Sequence, residues 1–358
     1  WKHSEPRGEG SGGLKSSRVG KQFLERRAKK LPSDEILYAV AEVSCRDDLS
    51  LPDLVRQRAI DLLFCGGFRI NECLTLHRDA LILEPLVDDL GNIVQGASGG
   101  EQPVRVGLRY LPEKDEDGVP KIKWIPSELA PIARRAFGDL LEITEVFAEA
   151  ARFTFENPGR ALLGEPWDSM NRASMLGTAE VREMVGLATL SSANAWIRGN
   201  VLDYVTDDRM LSCSKESVEA AICSLSEERG VQVNGRTVPI HQFLMVVPIN
   251  FFHSQKATIR GTACLVTDQN ISDFLCGRGK EGGRTLSVFE RLGVSTADGG
   301  KVRITTHQFR HFLDTVAATG GVSELVRARW MGRRDLSQNS AYDHESGLSL
   351  AKKVRDRL

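Results

Sequence analysis

The sequence has neither a long apolar run nor a paired cysteine motif. No stretch approaches the roughly 20 consecutive apolar residues of a membrane-spanning helix, and no signal peptide is visible. The seven cysteines are odd in number, form no CxxC pair and lie mostly among apolar residues. These absences argue against a membrane protein and against a disulfide framework. We expect buried free thiols in a reducing, cytoplasmic compartment.

The sequence also lacks an excess of positive or negative charge, since the formal net charge is −1. This balance neither suggests nor excludes nucleic acid, because basic clustering on one face matters more than the total. The sequence contains no P-loop and no credible metal-ligand cluster, so we expect no cofactor and no metal. The first residue is Trp1 rather than Met, and we therefore expect a fragment or a processed form.

Helix signals dominate what is present. Residues 1–30 are rich in Gly, Ser and charge at their start, which indicates a flexible linker or arm. Ser33 is the expected N-cap of a first helix, and Pro52 and the pair Gly66–Gly67 mark the start and end of a second. A short helix is expected in FRINECLTLHRD, and a long one in ELAPIARRAFGDLLEITEVFAEAARF.

Strand signals begin near residue 81. LILEPLV with IVQG predicts one hairpin, and VRVGLRYL with VPKIKWIP predicts another, which together indicate a small antiparallel sheet. Later segments predict a helix at KESVEAAICSLSEERG, a strand-like VQVNGRTVPIHQFLMVV, and helices again from NISDFLCG. The prediction is an α+β, mainly helical domain with a small antiparallel sheet.

Four short motifs carry reactive side chains. GGFRINECLTL places Arg69 directly after a Gly–Gly helix end, with Glu72 one turn later. HQFRH places two histidines and an arginine on one face of a helix start. A hairpin contains EK, and MGRR is followed by AYDH. Each motif alone is typical of an ordinary helix end or surface.

In this order the motifs resemble those of the tyrosine recombinase, or phage integrase, family. The resemblance covers about residues 31–126 and 245–350, and Arg333 and Tyr342 have the family's nine-residue separation. It implies a tyrosine-recombinase catalytic domain over residues 31–358, with residues 1–30 as a linker or the end of a missing N-terminal DNA-clamping domain. It also implies a site-specific recombinase of a mobile element. The catalytic residues that it implies are Arg69, Lys114, His307, Arg310, Arg333 and Tyr342.

The implied reaction is a transesterification on double-stranded DNA. The Tyr342 hydroxyl would attack a phosphodiester to give a 3′-phosphotyrosyl bond and a free 5′-hydroxyl, without ATP. Arg69 and Arg310 would hold the phosphate, because the guanidinium group is planar and always charged. His307 would accept the phenol proton, and Lys114 would donate a proton to the leaving oxygen.

Other residues have supporting roles in this reading. Glu72 and His311 would hold their neighbours in place. Lys121, Lys123 and Arg334 would contact DNA, although the sequence leaves open which hairpin lysine is catalytic. Basic residues are also clustered in the segment KQFLERRAKK: Lys21, Arg26, Arg27, Lys29 and Lys30. They either contact DNA or form a solvated charged surface, and the sequence leaves both interpretations open. The C-terminal segment would join protomers into a dimer or tetramer on DNA.

Two features depart from the family pattern. Arg69 and Arg310 are 241 positions apart, so the resemblance implies an insertion within about residues 127–245. The family has His or Trp where this chain has Arg333, an N–H donor that cannot accept a proton. A DNA-binding member that no longer cuts, and an enzyme similar to type IB topoisomerases or telomere resolvases, are the alternatives. An accidental resemblance in a helical structural protein is the third.

Overall fold

The computed structural model describes residues 31–331, except 89, 96–101, 114–118, 209, 227–229, 234 and 280–284. The chain begins there with three helices, as the sequence predicts: α1 (Asp34–Ser44), α2 (Leu51–Gly66) and α3 (Ile70–Leu74). The Ser33 hydroxyl accepts from the N–H of Ile36, and Gly67 ends α2 in the left-handed conformation with φ 56°. Both caps satisfy backbone groups that helix ends leave open.

A three-stranded antiparallel sheet follows. Its strands are β1 (Leu81–Pro85), β2 (Val104–Tyr110) and β3 (Lys121–Trp124), in the order β1-β2-β3. The predicted second hairpin is confirmed. The predicted first hairpin is reduced to an isolated bridge between Val87 and Ile93, because β1 forms its ladder with the more distant β2.

The long helix α4 (Ala130–Glu156) is confirmed and packs against α2. After it comes a set of short elements. Its three strands were not predicted, whereas the helix expected at KESVEAAICSLSEERG is confirmed. The elements are β4 (Met175–Gly177), α5 (Thr178–Val185), α6 (Leu190–Asn200), β5 (Tyr204–Asp207), β6 (Met210–Ser214) and α7 (Lys215–Leu225). Strands β4, β6 and β5 form a second antiparallel sheet in that order.

The elements after residue 230 include helices that pack against the N-terminal helix α2. Among them are the hairpin β7 (Val231–Val233) and β8 (Arg236–Val238), the pair β9 (Val246–Val247) and β10 (Cys264–Leu265), and four helices: α8 (Asp268–Cys276), α9 (Val288–Leu292), α10 (Thr306–Thr319) and α11 (Glu324–Trp330). The architecture is mainly helical α+β with small antiparallel sheets, as predicted.

Two large hydrophobic cores divide the packing. The first core joins α1, α2, the inner face of β2, α4, α8, α9 and Phe309 of α10. The second core is built from residues between Ala161 and Ile222, together with Ile259. The second core therefore lies in the stretch between the two arginine motifs.

Candidate functional site

Arg69 and Glu72 form the first half of the site, at the start of α3. Arg69 is the N-cap, and its backbone N–H donates to Oε2 of Glu72 at 2.9 Å. Its guanidinium donates to Oε1 at 2.6 Å, and the Glu113 N–H donates to the same oxygen at 3.3 Å. Glu72 is 1% exposed. Its carboxylate therefore fixes both the backbone and the side chain of Arg69.

Lys123 reaches this carboxylate from β3. It lies opposite Leu108 in the ladder, on the face of the sheet that packs on the core, and is 1% exposed. Its Nζ lies 4.8 Å from the centre of the Phe68 ring and 5.0 Å from that of Tyr110. The aromatic faces attract the ammonium group and exclude water from it. Lys121, two residues earlier in the same strand, is exposed.

Arg310 forms the other half, in α10. It is 1% exposed, and its Nη1 donates to the carbonyl oxygen of Gly67 at 2.7 Å. Its Nη2 donates to the carbonyl oxygen of Met331, just after α11. Gly67 precedes Arg69 by two residues. The two arginines, distant in sequence, are thus held at the same turn between α2 and α3.

The Glu72 carboxyl group is influenced by several cations. Burial raises its pKa, but the charge of Lys123, the backbone hydrogen bond from Arg69 and the charges of Arg69 and Arg310 lower it further than burial raises it, so that it lies below its ordinary value. Arg69 contacts the carboxylate directly, and the charges of the other two cations act on the same group. An excess of positive charge around one carboxylate favours the binding of a further anion.

The two histidines of HQFRH differ in exposure. His307 is exposed, whereas His311 is 4% exposed. Their rings meet edge to face at a centroid distance of 4.7 Å. α10 is anchored beside them, since Phe309 and Phe312 both pack on Phe64 of α2. His307 is therefore the histidine that a ligand in solvent can reach.

Some of the predicted site residues lie near one another in the structure, and others lie outside the residues that it describes. Arg69, Glu72, Lys123 and Arg310 come together, and His307 and His311 lie on the same helix as Arg310. Lys114, Arg333, Arg334 and Tyr342 lie outside the described residues, as do the basic residues Lys21, Arg26, Arg27, Lys29 and Lys30.

The sequence analysis did not predict the aromatic residues that line the site. Phe68 and Tyr110 enclose the Lys123 ammonium group, and their rings meet edge to face at 5.3 Å. The position of Phe68, directly before Arg69, was a signal that could have been used. The role of the Gly67 carbonyl had no sequence signal, because it depends on the distant Arg310.

The described residues lack two further features, a cluster of metal ligands and a helix that could span a membrane. They include no cluster of three or more His, Cys, Asp or Glu side chains placed to hold a metal ion. None of the described helices combines the length and the apolar character that crossing a membrane requires.

Comparisons with known proteins return nothing similar: no family model matches the chain, and neither the curated proteins nor the solved structures contain a significant match.

Proposed function

We propose that this chain is a tyrosine recombinase that cleaves and rejoins DNA. The observation that carries the proposal is that Arg310 is anchored on the Gly67 carbonyl oxygen, two residues before the Arg69 that Glu72 holds, while the charge of Lys123 acts on the same carboxylate. Two arginine motifs 241 positions apart are held at one turn, as a shared phosphate-binding site requires. The same arrangement supports the proposed tyrosine-recombinase fold.

The cations suit the chemistry of phosphoryl transfer. A phosphodiester under attack gains negative charge on its non-bridging oxygens, and fixed cations stabilise that charge. Arg69 is preorganised by Glu72, so its guanidinium loses little freedom when a phosphate binds. Removing one such contact costs about a hundred-fold in rate.

The nucleophile in this proposal is Tyr342. Its phenolic oxygen bonds to phosphorus, the bond from phosphorus to the 5′-oxygen breaks, and the products are a 3′-phosphotyrosine and a 5′-hydroxyl. The phenol proton passes to His307, the exposed histidine of α10. The 5′-oxygen takes a proton from a hairpin lysine. The attack by a second 5′-hydroxyl reverses these steps.

Two lysines of the β2–β3 hairpin compete for the role of proton donor. Lys114 is the residue that the family resemblance implies. The Lys123 ammonium group lies against Phe68 and Tyr110, which exclude water from it, and its charge acts on Glu72. We favour Lys123, because a proton donor is most effective in a site that solvent does not reach.

The proposal is tested with nicked duplexes tiled across the DNA that flanks the protein's own gene. A nick near the cleaved bond releases a short strand and traps the covalent complex. The full chain should form a denaturant-resistant protein–DNA band, and Tyr342→Phe should remove it. Lys123→Ala should slow band formation about a hundred-fold or more, whereas the exposed Lys121→Ala should not.

Two results would contradict the proposal. A band that persists in Tyr342→Phe would mean that another residue is the nucleophile. Sequence-specific binding without any band would favour a second candidate, a DNA-binding member that no longer cuts. One observation supports that candidate: both terminal nitrogens of Arg310 already donate to carbonyl oxygens, and the residue is 1% exposed.

A further inference from the structure

The helix α11 is fixed to the preceding helix by buried polar contacts. Nη1 of Arg327 lies 3.7 Å from Oδ2 of Asp314 in α10, and both side chains are buried. The Met331 carbonyl oxygen, just after α11, accepts from Nη2 of Arg310. Arg310 and Asp314 are one helical turn apart, so these contacts hold α11 against the part of α10 that carries Arg310.

Another contact joins α11 to the first sheet. The indole N–H of Trp330, the last residue of α11, donates to the carbonyl oxygen of Trp124 at 3.0 Å. The two tryptophans are 206 positions apart in the sequence. Trp124 is the last residue of β3 and directly follows Lys123. Through this contact, α11 links the helix that carries Arg310 to the strand that carries Lys123.

The Trp124 carbonyl group can accept this hydrogen bond because β3 is an edge strand. The order of the sheet is β1-β2-β3, so β3 pairs with β2 on one side only among the described strands. The Ile125 N–H donates to the Val106 carbonyl oxygen at 2.8 Å, in the direction of β2. Backbone groups of successive residues in a strand point to opposite sides, so the Trp124 carbonyl points away from β2. The Trp330 indole therefore binds the free edge of the sheet.

Trp124 is itself held closely by the sheet. The guanidinium carbon of Arg105 lies over its ring, 3.8 Å from the ring centre. The ring also covers Gly107, where a Cβ would lie 2.8 Å from Trp124 Cζ3. Lys123 lies on the opposite face of the same strand, where its ammonium group contacts the Phe68 ring. A displacement of the Trp124 backbone would therefore also displace Lys123 from the rings that surround it.

We propose that Trp330 is a positioning residue for Lys123. By donating to the Trp124 carbonyl oxygen, it holds the free edge of β3, and with it the Lys123 ammonium group, at a fixed place relative to Arg310. The consequence for catalysis rests on the proposed strand cleavage, in which Lys123 gives a proton to the leaving 5′-oxygen. A proton donor acts only within hydrogen-bond reach of its acceptor, so a small displacement of Lys123 slows this step.

The place of Lys123 can be measured by NMR without any DNA. Its Nζ lies 4.8 Å and 5.0 Å from the ring centres of Phe68 and Tyr110, so ring currents displace the signal of its ε-methylene group from the signals of exposed lysines. The signal is assigned in the full chain by its absence from Lys123→Arg. Trp330→Phe keeps an aromatic ring and removes the N–H donor. We expect it to move the Lys123 signal towards that of the exposed Lys121.

Strand cleavage gives a second measurement. Trp330→Phe should bind the nicked duplex with the parental affinity and cleave it about ten-fold more slowly, which corresponds to the contribution of one hydrogen bond. A second duplex carries sulfur in place of the leaving 5′-oxygen. There the phosphorus–sulfur bond breaks and the sulfur leaves as a thiolate, which needs no proton donor because a thiol has a pKa of about 8.5. The deficits of Trp330→Phe and Lys123→Ala should both disappear on this duplex.

Trp196→Phe is the matched control. Trp196 is a buried tryptophan of the second core and does not belong to the arginine site. The same change of side chain at this position should leave the Lys123 signal and the cleavage rates on both duplexes unchanged. The circular dichroism spectra of Trp196→Phe and Trp330→Phe should both match that of the parent, so that a difference between the two variants reports the lost hydrogen bond.

Two results would overturn the proposal. One is a Lys123 signal that does not change in Trp330→Phe. The other is a cleavage deficit that is absent, or equal on the oxygen and sulfur duplexes, because Trp330 would then not act through Lys123. A failure of the proposed strand cleavage is a separate outcome. If the parent forms no covalent band while Trp330→Phe still displaces the Lys123 signal, the recombinase chemistry is rejected and the positioning of Lys123 by Trp330 stands.

Discussion

At the scale of single residues, the ionised Glu72 carboxylate is the centre of the arginine site. It accepts from the backbone and guanidinium N–H groups of Arg69 and from the Glu113 N–H. Because its pKa is lowered by Lys123, Arg69 and Arg310, it stays charged although it is buried. Removing this charge leaves three cations without their shared counter-charge, which is the costly way to break a buried ion pair.

Glu72→Gln should therefore reduce the free energy of unfolding by about 3 kcal/mol near neutral pH. A folded-state pKa below 4.5 means that this stabilisation is present above that pH and is lost as the pH falls through the folded pKa. The difference between parent and variant in urea titrations should consequently shrink as the solution is acidified.

The matched control is Glu113→Gln, which changes an exposed carboxyl that accepts from Asn71. It should alter stability by less than about 0.5 kcal/mol. A Glu72→Gln variant whose deficit is the same at every pH would show that packing, and not charge, is lost.

At the scale of elements, the end of α2 links the two halves of the site. Gly67 is left-handed, with φ 56°, and its carbonyl accepts from Arg310. A Cβ there would lie 3.2 Å from Leu313 Cδ1 and 3.3 Å from Met331 Cε. Gly293 ends α9 with φ 71°, but a Cβ there would meet nothing within 4 Å. The two glycines share one backbone conformation and differ in surroundings.

Gly293→Ala should cost about 1–2 kcal/mol, the strain of a left-handed alanine. Gly67→Ala should cost about 1 kcal/mol more, because the side chains of Leu313 and Met331 must move to admit the methyl group. The same shift should weaken DNA strand cleavage in Gly67→Ala alone. Equal losses of stability and unchanged activity in both variants would mean that the Gly67 turn does not position Arg310.

Elements with local signals were predictable, and elements set by distant partners were not. Ser33, Pro52 and Gly67 predicted helix ends correctly, because capping depends on residues only a few positions apart. The pairing of β1 with β2 was not foreseen, since the nearer hairpin had equally good turn residues and only the core decides between them. The burial of Lys123 was missed for the same reason: an alternating strand shows which residues share a face, but not that Phe68 will cover one of them.

At the scale of the whole molecule, the two large cores lie in different parts of the chain. The second core is formed almost entirely by residues 161–222. The first core draws on residues from Ala39 to Phe309 and carries the arginine site. A region with its own core can open without unfolding the remainder. We therefore expect the second core and the arginine site to respond separately to destabilisation.

Methionine offers the same substitution in both cores. Met184 in the second core and Met245 in the first are each fully buried, so truncation to alanine removes the same atoms at a cost of about 2–5 kcal/mol. In Met184→Ala, amide hydrogen exchange should accelerate within residues 161–222, while α2 and α4 keep their protection and strand cleavage persists. In Met245→Ala, protection of α2 and α4 should fall and cleavage should decline with it. Loss of protection over the whole chain by the same factor in both variants would show that the two cores unfold as one unit, and their separation would then have no thermodynamic basis.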